Sequence, residues 1–112
     1  MIVFCYYRIG PRAYRGMRWQ DWESARRLGH LPANGGRLYF TSDRGLAEYY
    51  ALLWAERHGD RPVVVSFPTP PIEVVMPDES GVTAGAECVG AWRTEFFTTV
   101  AVPLSAVTVE EV

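Results

Sequence analysis

Tyr39-Phe40-Thr41-Ser42-Asp43 gathers side chains able to build a site. Leu38 to Thr41 reads as a short buried strand. It breaks at Ser42-Asp43 into a helix carrying Leu46, Ala47, Tyr50, Ala51, Leu53 and Trp54. Rings and hydroxyls thus fall where a strand hands over to a helix, a place where small α+β domains build sites. Far downstream, Glu95 opens the stretch Glu95-Phe96-Phe97-Thr98-Thr99, an acidic strand that would bring one carboxylate to the same cleft. Earlier in the chain Arg12, Arg15, Arg18, Arg26 and Arg27 are interleaved with Tyr14, Trp19 and Trp22. Guanidinium forks among rings hold a base and its phosphate; the plainer alternative is a solvated helix face.

The elements that must position these groups follow from pattern. Ile2 to Arg8 reads as a first strand, apolar on both parities and therefore covered on both faces. Gly10-Pro11 punctuates it, and Arg12 to Arg18 reads as a basic connection. Trp19 to Leu28 has helical spacing, with Trp22, Ala25 and Leu28 on one side and Gly29 as a stop. Pro32 to Gly36 is a loop by composition. In the second helix Thr41 or Ser42 caps the start, Asp43 complements the dipole, and Gly59 ends it after Arg57 and His58. Its Leu46, Tyr50, Leu53 and Trp54 form an apolar stripe, and the face of Tyr49, Tyr50 and Trp54 reads as core.

Strands follow at Val63–Phe67, Ile72–Met76, Trp92–Val102 and Val107–Val112. Pro68-Thr69-Pro70-Pro71 and Pro103-Leu104-Ser105-Ala106 separate them, and Pro77 to Gly90 is the least structured segment. The order β-α-β-α-β-β-β-β predicts one α+β domain over residues 1–112, with two early helices on a mostly antiparallel sheet.

Composition bounds the function classes. A chain of 112 residues that is 48% hydrophobic holds a core without staples. The net charge of −2 gives no electrostatic case for duplex nucleic acid, and no Lys occurs. Cys5 and Cys88 have no partner at metal-ligand spacing, so no metal is expected. They read as free thiols in a reducing cytoplasm, with a Cys5–Cys88 disulfide as the alternative. No apolar run approaches the ~18 residues of a membrane span. His30 and His58 sit at helix ends and read as structural.

Three segments together resemble the ADP-ribosyltransferase fold. The first is Tyr7-Arg8 closing an early strand, with a second copy at Tyr14-Arg15-Gly16, and then the Trp-containing helix from Asp21-Trp22-Glu23 to Leu28-Gly29. The second is Leu38-Tyr39-Phe40-Thr41-Ser42-Asp43 with Ala47 and Tyr50-Ala51, similar to the family's strand-to-helix segment. The third is Glu95 opening a strand, followed by Val102-Pro103-Leu104-Ser105-Ala106-Val107, similar to the acidic strand and its closing turn.

The resemblance implies a split sheet and NAD as substrate, with ADP-ribose passing to a protein or nucleobase acceptor. Glu95 would stabilise the positive charge that develops at the ribose as nicotinamide leaves. Arg8, or Arg15, would grip phosphate or ribose, Tyr39 or Tyr50 would pack the nicotinamide ring, and Thr41 or Ser42 would orient Glu95 or the amide. Arg93 stands two residues before Glu95, where many members carry Glu or Gln to activate the acceptor. That favours a nucleobase acceptor or NAD hydrolysis, or an inactive relative, over transfer to arginine or asparagine. The implied setting is a bacterial toxin-type or phage-linked modifier in the cytoplasm. A non-catalytic protein-interaction module and a nucleic-acid-associated accessory domain are the competing expectations. On those, Glu95 is an ordinary edge-strand charge and Arg8 a snorkelling strand-end residue.

Overall fold

Strand β2 (Arg12–Arg18) runs through the middle of the sheet, although its composition reads as a connection. The computed structural model describes residues 6–32, 35–78 and 92–110. Three of the strand's seven residues are arginines, and each finds a polar partner. Arg12 donates to the Ser66 hydroxyl (2.7 Å), Arg15 to the Tyr39 carbonyl (2.8 Å), and Arg18 to both carboxylate oxygens of Asp21 (3.1 Å each). Ala13 and Met17 meanwhile point into the core. A central strand tolerates charge when stems pack and heads are paired.

Around β2 stand β1 (Tyr6–Tyr7), α1 (Trp19–Leu28), β3 (Leu38–Thr41), α2 (Arg44–His58), β4 (Pro62–Pro68), β5 (Val75–Pro77), β6 (Trp92–Arg93), β7 (Glu95–Thr98) and β8 (Thr108–Glu110). Six strands form an antiparallel sheet in the order β5-β7-β3-β2-β4-β8, while β1 and β6 pair in parallel as a separate ribbon. Over the described residues the protein is thus α+β with two α-helices and a largely antiparallel sheet, as the element order implies.

Several boundaries differ from the pattern. The stretch expected as one strand from Trp92 to Val102 breaks at Thr94, whose carbonyl leaves the ladder to accept the Ser42 N–H (2.9 Å). Ile72–Val74 is a single 3-10 turn, and only Val75–Pro77 joins the sheet. The last strand pairs over Thr108–Glu110. Asp43 caps α2, accepting from the Gly45 N–H (2.9 Å); Thr41 Oγ1 instead accepts from the Asp43 N–H (3.0 Å). Gly29 and Gly59 end the two helices in left-handed conformations, as expected. Most of the first strand, Cys5, Cys88 and the greater part of Pro77–Gly90 lie outside the described residues. Among the described residues no helix is long and apolar enough to cross a membrane.

The two sheet faces are packed differently. On one, Ala13, Met17, Val63, Val65, Phe67, Phe40 and Phe96 meet Ala25 of α1, Leu31 and Val102 in the main core. On the other, Ala47 and Ala51 of α2 lie on Val64, with Tyr14 alongside. Alanines therefore form the packing stripe of α2, and the larger residues flank it. Tyr49 is 58% exposed and Trp54 43%, so the aromatic face expected to be core is only partly covered.

Gly16 explains the small stripe. A Cβ there would lie 2.1 Å from the Ala47 carbonyl oxygen and 2.7 Å from the Ala51 nitrogen. Helix backbone rests directly on strand backbone, and neither partner can yield. Replacing Gly16 with Ala should lower stability by about 3 kcal/mol. The drop would be read as a lower urea midpoint at unchanged slope; an unmoved midpoint would contradict this packing.

Candidate functional site

Strands β2 and β3 are paired at one position only, Tyr14 opposite Thr41. Elsewhere neighbours pair along their lengths: β2 with β4 from Arg12 to Arg18, and β3 with β7 from Leu38 to Thr41. Continuing the antiparallel register would set Gly16 opposite Tyr39, but no such rung forms. The Tyr39 carbonyl accepts from Arg15 Nη1 instead. A cavity of about 450 Å³ occupies this region, lined by β2, β3 and α2.

The carboxylate of Glu95 reaches this cavity by register. Tyr14, Thr41 and Glu95 are successive partners across β2, β3 and β7, so they share one face. Tyr50 descends from α2 and donates its hydroxyl to Glu95 Oε1 at 2.6 Å. Holding that proton against a carboxylate pushes the Tyr50 phenol up to about 12, with burial adding to the effect. Thr41 is buried, and its hydroxyl shares a hydrogen bond with that of Thr94 (3.0 Å). The base of the Glu95 strand is thereby tied to β3.

The two cavity arginines differ. Arg18 makes a bidentate pair with Asp21, which raises its pKa. Among the described residues no carboxylate pairs with Arg15. Its Nε is withdrawn from solvent and makes no hydrogen bond. Burial lowers its pKa, against a weaker opposing pull from Asp21; a guanidinium nevertheless stays charged. Arg15 is thus a desolvated cation among the residues that line the cavity.

Arg15, Tyr39, Thr41, Tyr50 and Glu95 therefore line one cavity, as the sequence suggested. Arg8 and Ser42 do not line it. Arg8 follows the short parallel ribbon, is exposed, and donates its N–H to the Arg93 carbonyl (2.8 Å). Ser42 donates its hydroxyl to the Arg8 carbonyl (2.6 Å), so both belong to the join between the two sheets. Tyr50, expected to offer its ring, directs its hydroxyl at Glu95. Trp54 and His58 also line it without having been singled out as a site. Their signal was available: Ala47, Tyr50, Trp54 and His58 recur at helical spacing along one stripe of α2.

Among the described residues no cluster of three or more His, Cys, Asp or Glu is placed to hold a metal. No family model, curated protein or solved structure matches the chain.

The folded protein holds the Tyr50 proton more tightly than the unfolded chain does. The contribution of its bond to Glu95 is therefore fully present below pH 10 and is lost as pH rises through about 12. In a titration of tyrosinate absorbance, one late-ionising group near pH 12 is expected. Tyr50→Phe should remove that phase and leave the earlier ones. A late phase persisting in the variant would show that another phenol faces the acid.

Proposed function

We propose that the protein is a small NAD-using domain of the ADP-ribosyltransferase type, working in the cavity between β2, β3 and α2. The observation that carries this is the convergence of Arg15, Tyr39, Thr41 and Tyr50 with Glu95, drawn from separate parts of the chain, on one cavity. Its volume falls in the range usual for small-molecule sites.

Residue by residue, Arg15 is the phosphate anchor. It is the cavity arginine without a carboxylate partner among the described residues, and it takes the role that Arg8 would otherwise hold. Tyr39 offers a ring on β3, held against Phe97 at 5.6 Å between centroids. Glu95 accepts a hydrogen bond from a ribose hydroxyl and stabilises the cation that forms as the C–N glycosidic bond breaks. The bonding pair departs with nicotinamide, and water or an acceptor amine then attacks the ribose carbon. Tyr50 keeps the Glu95 carboxylate turned toward the cavity.

The nucleic-acid reading is less favoured. Arg12, Arg15 and Arg18 bond to Ser66, Tyr39 and Asp21, and Arg26 pairs with Glu23. They do not form the open basic track that a single strand follows.

NAD at ten times its dissociation constant should stabilise the fold by about 1.4 kcal/mol, a rise of roughly 5 °C in melting temperature for a domain of this size. Glu95→Gln should keep that shift while slowing nicotinamide release by about 10²–10³-fold. Arg15→Ala should abolish the shift. Absence of any shift in millimolar NAD, or release unaffected by Glu95→Gln, would overturn the proposal.

A further inference from the structure

The six-stranded sheet ends in two edges, β5 and β8, and among the described residues no further strand lies beyond either. The two edges differ chemically. Asp78 donates its N–H inward to the Glu95 carbonyl (3.0 Å), and Met76 faces Phe97 in the same antiparallel register. Alternation then turns the backbone of Val75 and Pro77 to the outside. The Val75 N–H is taken by the Ile72 carbonyl, and a proline has none. The outer edge of β5 therefore has no donor to offer along the strand. Edge β8 carries no such block. Thr108–Glu110 contains no proline, and Lys, a common guard of sheet edges, is absent from the chain. The charge on this strand is drawn inward: the Glu110 carboxylate accepts from the Ser66 hydroxyl (2.6 Å) and lies 3.5 Å from Arg44.

Apolar surface flanks that edge on both faces of the sheet. Val109 is paired with the buried Val65 on the main-core face, yet it is 48% exposed. On the other face Arg44 reaches Glu110 while Tyr50 reaches Glu95, so one flank of α2 is turned to β8 and another to the cavity. Arg44, Glu48 and Leu52 succeed one another at four-residue steps on the β8 flank, and Leu52 is 54% exposed. We infer that the outer edge of β8 takes a second strand, and that this strand is β8 of a second copy of the chain. The edge is complementary to itself. An antiparallel two-fold pairing about Val109 sets Val109 against Val109. It sets the Thr108 hydroxyl of each copy against Glu110 of the other, so no like charges are opposed. About two to four backbone hydrogen bonds form across the axis. Association stops at two copies, because the remaining edge, β5, is blocked. A contact this small makes a reversible dimer, not an obligate one. Strand β4 separates β8 from β2, so the cavity stays open in both copies and the inference does not rest on the proposed chemistry.

Sedimentation of the whole protein over a concentration series tests this. The average mass should climb with concentration toward twice that of the chain and no further. Val109→Lys sets two cations against each other across the two-fold axis. It should weaken association by about ten-fold or more while leaving the far-ultraviolet circular dichroism unchanged. Met76→Lys places the same charge on β5, where Met76 is exposed, and should leave the dimer intact. On the unaltered protein, amide exchange within Thr108–Glu110 should quicken on dilution, which reads the pairing without any substitution. A single-chain mass up to millimolar protein, a dimer indifferent to Val109→Lys, one abolished by Met76→Lys, or growth past two copies would overturn the inference. So would exchange in β8 that ignores concentration.

Discussion

A side chain takes the place of a backbone rung between β2 and β3, and the site depends on it. The ladder begins at Tyr14 and Thr41 and would continue to Gly16 and Tyr39. A carbonyl left without a donor inside a sheet is costly, so a simple separation of the strands would not persist. Arg15 supplies the missing donor to Tyr39. The gap is therefore satisfied on the β3 side, and β7 secures the other edge of β3 over its whole length. The same guanidinium is among the groups that line the cavity.

Depth at that cavity comes from the contact of α2 with β2. Gly16 lets the helix backbone settle on the strand, and Ala47 and Ala51 keep the interface thin. A closer helix brings Tyr50 within hydrogen-bond reach of Glu95, two strands away from β2. A bulkier stripe on α2 would lift the phenol off the acid. Helix packing and the orientation of the candidate catalytic group are consequently one constraint: the small residues serve the sheet contact, and the large ones at Tyr50, Trp54 and His58 line the space beside it.

Much of this was legible in the chain. Both helices, their glycine stops, the strand before α2 and the α+β class follow from periodicity and turn chemistry. The nearness of Glu95 to Tyr39, Thr41 and Tyr50 was also anticipated from residue types at a strand-to-helix junction. The central strand was not legible, because Arg12, Arg15 and Arg18 give it the composition of a surface loop. Their partners Ser66, Tyr39 and Asp21 are tertiary facts. The core face of α2 was misjudged for a related reason. Hydrophobic size pointed to Tyr49 and Trp54, whereas the glycine opposite selected alanines. The choice between Arg8 and Arg15 could not be made from Tyr-Arg repeats; it required knowing which copy borders the gap in the sheet.

Charge is unevenly placed inside the cavity. Asp21 pairs with Arg18 and exerts only a weaker pull on Arg15. Positive charge then remains at Arg15, and negative charge at Glu95, with Asp78 adding to the field felt by Tyr50. Joining Arg15 to a carboxylate would have been the simpler arrangement for stability, since an uncompensated buried cation costs several kcal/mol. A ligand that is anionic at its centre and gains positive charge at one end relieves both ends of that arrangement, and more so as its bond stretches. An equally anionic ligand without such a reacting centre would meet repulsion at Glu95. On the proposed reading, that polarity would suit a phosphate-bearing glycosyl donor better than a simple polyanion, for the same reason that Glu95 would suit a cationic transition state.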